Sequence, residues 1–192
     1  MEELVTCEGT VHSIIFQNAE NGYTVLRLLT EEGEVITVVG CIPCVAPGEH
    51  LAVSGVPETH PQHGEQLRAV ELERSLPEDE EEIFSYLSSG ICKGVGPATA
   101  RRIVERFGAE TLDVLEREPE RLTTLKGVTA RKAQEIAESF RQHMGLRRLM
   151  AFLAQYQLPP VLAMELRRQY GDAALEKVRE NPYLLSGEAC GV

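Results

Sequence analysis

No stretch of this sequence has the G-x-x-x-x-G-K-[ST] spacing. That pattern is a glycine-rich turn whose backbone amides and lysine cradle nucleotide phosphates, so P-loop hydrolysis of nucleoside triphosphates by these 192 residues is excluded. No apolar run approaches the roughly 20 residues that a membrane-spanning helix needs, and no membrane partner is expected. The start of the chain lacks the charged, apolar and small-residue order of a signal peptide. The cysteines Cys7, Cys41, Cys44, Cys92 and Cys190 are odd in number and scattered, which argues against a disulfide framework and for a reducing cytoplasm. Cys41-Ile42-Pro43-Cys44 has the spacing of half a zinc or redox site, but no second pair follows to complete four ligands. It reads as a strand end entering a proline turn, with no metal or cofactor expected in the chain.

Basic residues are scarce in one part only. Residues 1–77 hold three, Arg27, Arg68 and Arg74, against twelve Asp and Glu, and Glu78 to Glu82 add five more acids. The remaining 110 residues carry 16 Lys and Arg against 13 Asp and Glu, so a net charge of −11 hides a mildly basic second part. Strong local acidity repels a polyanion and a basic surplus attracts one, so any nucleic-acid contact is expected after residue 77.

The acidic part reads as β structure. Apolar or alternating runs at about Val5–Phe16, Tyr23–Leu29, Glu34–Val39, His50–Val56 and Gln66–Leu72 are separated by Asn21-Gly22, Glu32-Gly33, Pro47-Gly48 and Gln62-His63-Gly64. Five short strands in about 75 residues, one of them dense with Val and Ile, suit a small closed barrel of the OB type. Such barrels can stack single-stranded bases on exposed aromatics. The only aromatic rings here are Phe16 and Tyr23, and at strand positions both are expected in the core. His60 and His63 read as solvated loop residues, and the barrel itself as a docking module or a contact for another protein.

After Pro77 the period becomes helical and the chain repeats itself. Gly94-Val95-Gly96-Pro97-Ala98-Thr99-Ala100-Arg101-Arg102-Ile103 lies over Gly127-Val128-Thr129-Ala130-Arg131-Lys132-Ala133-Gln134-Glu135-Ile136 at an offset of 33, and Phe107 lies over Phe140. An offset of 63 brings Ala163, Leu166, Tyr170-Gly171, Leu175, Val178 and Pro182 over Ala100, Ile103, Phe107-Gly108, Leu112, Leu115 and Pro119. The expected architecture is α+β in two domains. A five-stranded OB-like barrel spans 1–77 and an all-α tandem of helix-hairpin-helix units spans 78–192, the units falling at about 84–122, 123–155 and 156–185. Gly191-Val192 would open a fourth, which points to excision from a longer polypeptide.

The chemistry of each unit lies in its turn. In Gly94-Val95-Gly96 the two glycines are expected to take positive φ and the valine to anchor the tip in the core. The next helix, opened by Pro97, aims free N–H groups and a partial positive charge outward. A turn of this kind holds an anion, and in series it follows a phosphate backbone without reading bases. The candidate DNA contacts are therefore Lys93, Gly94, Gly96, Thr99, Arg101 and Arg102 in the first copy, and Lys126, Gly127, Thr129, Arg131 and Lys132 in the second. The third copy has Gln157-Leu158-Pro159-Pro160 in place of the glycines, loses two N–H donors and is expected to be structural. Arg147-Arg148 and Arg167-Arg168 read as surface charge.

Gly94, Val95, Gly96, Thr99 and Ala100 resemble the helix-hairpin-helix DNA-binding motif. Ile14 to Val25 (IIFQNAENGYTV), Tyr86-Leu87-Ser88-Ser89-Gly90, Arg106-Phe107-Gly108 and Glu180-Asn181-Pro182-Tyr183-Leu184 resemble the N-terminal region of RecD-like helicases of the RecD/TraA family, which includes exodeoxyribonuclease V alpha-subunit-like proteins. The resemblance implies a bacterial, ATP- and Mg-dependent 5′→3′ DNA helicase acting in repair or recombination, with its motor domains C-terminal to these residues. Two other readings stay open. One is a Holliday-junction scaffold resembling RuvA, also an OB-fold followed by tandem hairpins, and the other is a protein-interaction module without DNA binding.

Overall fold

The computed structural model describes residues 3–186, so the expected fourth hairpin at Gly191-Val192 lies outside the described residues. Strands β1 (Val5–Gln17), β2 (Tyr23–Thr30), β3 (Val35–Cys41), β4 (His50–His60) and β5 (Gly64–Ser75) close into a barrel in the order β1-β2-β3-β5-β4. All neighbours are antiparallel except β3 and β5. The interior is filled by alternate residues of each strand, including Val11, Leu26, Leu28, Val38, Leu51, Val53 and Leu67. Ile42 and Val45, from the β3–β4 connection, complete the same core.

Phe16 and Tyr23 depart from expectation. They are 52% and 43% exposed, with ring centroids 6.3 Å apart. Tyr23 takes an outward position in the regular alternation of β2, and for Phe16 the cause is a register shift between Ile14 and Phe16. An extra residue in one strand breaks the inward-outward alternation, and both Ile15 and Phe16 finish on the outside. The β4–β5 hairpin also runs beyond the apolar pattern, pairing Glu58 with Gln66 and His60 with Gly64. His60 and His63 stack at its tip with centroids 4.7 Å apart.

The helical part comprises α1 (Glu80–Tyr86), α2 (Pro97–Phe107), α3 (Thr111–Arg117), α4 (Ala130–Ala154), α5 (Pro160–Tyr170) and α6 (Ala174–Glu180). The offset of 63 maps α2 onto α5 and α3 onto α6, with the left-handed glycines Gly108 and Gly171 ending the first helix of each pair. Helix α4 joins the two halves. At 25 residues it is about 37 Å long. Its first part packs Ala133, Ile136, Phe140 and Met144 against α1–α3, and its last part packs Leu149, Met150 and Leu153 against α5 and α6.

Barrel and helices meet on a buried charge. The carboxylate of Glu49 is fully buried and accepts from the Ala46 N–H at 2.7 Å, from Arg74 Nη2 at 3.0 Å and from Arg147 Nη1. Arg147 is therefore not the surface charge it was expected to be, because its α4 position faces the barrel. Gly48, at φ 90°, precedes this carboxylate, and a Cβ there would collide with the Glu82 carbonyl of α1. Glu82 itself lies 2.8 Å from His50 Nε2 and accepts from Thr10 Oγ1 at 3.1 Å.

Candidate nucleic-acid interface

The first two hairpins share one backbone design. Gly94 and Gly127 both sit at φ 85°, in the left-handed region that a glycine occupies without penalty. The following valine is buried in each, and its N–H donates back to the residue three before it: Val95 to Cys92 at 3.2 Å and Val128 to Leu125 at 3.1 Å. Helices α2 and α4 then begin. The expectation for Gly96 is corrected. It lies at φ −93° in extended backbone and needs no glycine for conformational reasons. Thr129 occupies the same place at φ −77°, which shows that a β-branched residue fits there.

The difference between Gly96 and Thr129 is chemical. Thr129 Oγ1 accepts from the Lys132 N–H at 3.2 Å and so occupies one of the donors that open α4. Gly96 makes no side-chain cap, leaving the first-turn donors of α2 for an outside acceptor. No Cβ would meet any atom within 4 Å at Gly94 or Gly96, so the backbone is open to close approach.

The hairpins lie side by side. The Lys93 N–H donates to Ser139 Oγ at 2.8 Å, and Arg102 Nη1 donates to the Lys126 carbonyl at 2.7 Å. Between them is a shallow cleft of about 320 Å³ lined by Lys93, Gly94, Thr129, Arg131, Lys132, Glu135 and Ile136. Its cations are exposed or half-exposed. Arg131 pairs with Glu135 at 3.2 Å across one helical turn, an exposed i,i+4 contact typically worth about 0.3–0.5 kcal/mol that a phosphate could displace.

The other candidates are placed apart from the cleft lining. The Arg101 guanidinium lies 3.8 Å over the Phe84 ring and 3.6 Å from Glu81, turned toward α1. Arg102 holds the two turns together. Thr99 is 8% exposed and packs inward with Ala100. Glu135, Ile136 and Ser139 were not expected from the sequence to form part of this surface. Glu135 and Ile136 stand three and four residues after Lys132, and Ser139 three after Ile136, on the start of a long helix, and that spacing was the available signal.

Among the described residues no group of three or more His, Cys, Asp or Glu side chains is placed to hold a metal. Cys41 is exposed and Cys44 half-buried, and burial raises both thiols above their ordinary pKa. Among the described residues no helix is long and apolar enough to cross a membrane.

Three family descriptions match in succession: the OB-fold domain of the ATP-dependent DNA helicase YrrC over residues 4–77, a SAM-like helix-hairpin-helix tandem over 84–142, and the helix-hairpin-helix domain of the ATP-dependent RecD2 DNA helicase over 142–192. The first and third of these descriptions name ATP-dependent DNA helicases, and together they make the chain similar to the N-terminal OB-fold and helix-hairpin-helix region of a RecD-like helicase. The ATP-dependent RecD2 DNA helicase of Deinococcus radiodurans is 29% identical over 185 residues, an alignment covering 93% of this chain and 26% of that relative. The chain thus spans about a quarter of the RecD-like relative it matches. A chain of the S. pombe Stn1-Ten1 complex aligns over 38% of this chain and 57% of its own length, at 21% identity and a TM-score of 0.31, a likeness too distant to bear on function.

Proposed function

We propose that this chain is the non-catalytic, DNA-holding region of an ATP-dependent 5′→3′ DNA helicase that acts in repair or recombination. The observation that carries the reading is the single cleft between two hairpins, where Lys93 and Gly94 of one face Thr129, Arg131 and Lys132 of the other. A phosphate in the cleft would be neutralised by Lys93, Arg131 and Lys132, and another would meet the open first-turn amides of α2, which lie outside the cleft lining, so that binding runs through the backbone rather than the bases. Gly96, Gly127 and Lys126 belong to the same turns, and Arg102 positions them. The barrel, over residues 1–77, carries the acidic surplus and serves as a docking module beside the hairpin region of 78–192. ATP and Mg would act in motor domains beyond these residues, since the chain has no phosphate-cradling P-loop.

The test is an anisotropy titration of a labelled blunt duplex at several salt concentrations. Binding should lie in the non-specific range of roughly 10⁻⁴ to 10⁻⁶ M near physiological salt and be insensitive to sequence. Lys93→Ala, Arg131→Ala and Lys132→Ala combined should weaken it and flatten the log–log salt slope by about 0.9 for each phosphate no longer neutralised. Unchanged affinity and slope would mean that the hairpins are kept for protein docking.

A further inference from the structure

The third hairpin keeps the left-handed turn residue of the first two and changes what it presents. Its left-handed residue is Gln157, at φ 56°, in register with Gly94 and Gly127, and Leu158 takes the place of the valine at the tip. Pro160 opens α5 as Pro97 opens α2, but Pro159 stands where Gly96 does and removes one further N–H donor, and no glycine leaves this turn open to close approach of a phosphate. The residue just before the left-handed position is Lys93 in the first hairpin and Lys126 in the second. In the third it is Tyr156, which is 63% exposed.

Tyr156 is supported from behind. Its ring meets Phe152 of α4 edge-on at a centroid separation of 5.3 Å, and the Arg179 guanidinium of α6 lies 5.5 Å from the Phe152 ring. The result is a line of contacts from Arg179 through Phe152 to the edge-on Tyr156, ending in an exposed ring, on a hairpin whose relatives place lysines at the same point. Exposed aromatic faces beside an arginine are what a base without a pairing partner stacks on, and a paired base offers them no free face.

We infer that Tyr156 is a stacking platform for an unpaired nucleotide, so that the third hairpin holds a base where the first two hold phosphates. The inference rests on the DNA-holding reading and adds a preference to it: duplex carrying a single-stranded overhang over blunt duplex.

The chain has no tryptophan, so Tyr156→Trp places a single reporter at the site. Its emission should be quenched by an oligothymidine and by an overhang duplex, and left alone by a blunt duplex. In anisotropy titrations of the full chain, Tyr156→Ala should weaken overhang binding roughly tenfold, Tyr156→Phe should restore it, and blunt-duplex affinity should stay unchanged. Lys93→Ala with Lys132→Ala should weaken both substrates. If those lysine variants are silent while Tyr156→Ala still acts on the overhang, the phosphate cleft fails and the stacking site stands. Tryptophan emission indifferent to single strands, or equal loss on blunt and overhang duplexes with Tyr156→Ala, would overturn the inference.

Discussion

The guanidinium of Arg147, in the second half of α4, reaches the carboxylate of Glu49, which is fully buried just before the barrel's fourth strand. Arg74 of β5 closes on the same carboxylate and also donates to the Pro43 carbonyl at 2.7 Å. The cluster unites the acidic barrel and the helical part through one negative charge held between two positive ones. Removing the shared carboxylate leaves two largely buried guanidiniums without a counter-charge, a change that typically costs about 3–5 kcal/mol. Glu49→Gln should therefore lower the urea midpoint sharply, whereas Arg147→Met leaves the Arg74–Glu49 pair in charge balance and should lower it less. A change within experimental error in both variants would show that the two parts are held by apolar packing instead.

His143 supplies a pH dependence from the same region. Burial pushes its imidazole down to about 4, Glu49 opposes that shift, and Arg147 and Arg74 add to it. Its Nε2 is buried without a hydrogen-bond partner, and its ring meets Tyr86 edge-on at 5.8 Å. A depressed histidine favours the neutral form in the fold, so its contribution is intact above the unfolded pKa near 6.5 and is lost as pH falls toward 4, where the folded form also protonates. The loss across that window is on the order of 3 kcal/mol. Unfolding midpoints measured between about pH 7 and about pH 4 should fall for the wild type and fall less for His143→Phe. Parallel profiles would remove His143 as the cause.

The strands were legible because alternation reports a face buried in the barrel, as along Leu26, Leu28 and their neighbours. The repeat was legible because its turns need particular residues: Gly94 and Gly127 for a left-handed backbone, and the valines after them for the core. What stayed hidden depended on long-range or irregular geometry. Glu49 and Arg147 are 98 residues apart, and each taken alone has the composition of a solvated charge. The bulge that exposes Phe16 leaves no mark on the apolar pattern. Gly96 was misread because a glycine in a turn suggests positive φ, whereas here its use is the absence of a side chain beside open amides.

The exposed pair Phe16 and Tyr23 makes a direct test of the charge argument. Two rings on an OB barrel could stack bases, but the module around them carries twelve acidic groups against three basic ones. Phe16→Ala with Tyr23→Ala should leave the affinity of the full chain for an oligonucleotide unchanged at physiological salt. A severalfold loss would show that local geometry outweighs the net repulsion.

Exchanging the residues at the two helix starts separates fold from binding. Gly96→Thr should leave stability nearly unchanged, because threonine and glycine are close as N-caps and Thr129 already adopts this backbone. It should nevertheless weaken DNA binding, since the new hydroxyl would accept from an α2 amide that a phosphate would otherwise use, as Thr129 does from Lys132 at 3.2 Å. Thr129→Gly should act in the opposite sense, freeing a donor on α4 with little change in the unfolding midpoint. Gly94→Val differs from both. At φ 85° a β-branched residue is strained by about 1–3 kcal/mol, so it should lose stability and binding together. Paired thermal denaturation and duplex titration of the three variants would decide the matter. If Gly96→Thr binds as tightly as wild type while Gly94→Val loses both properties, the turn shapes the fold and the α2 amides do not hold phosphate.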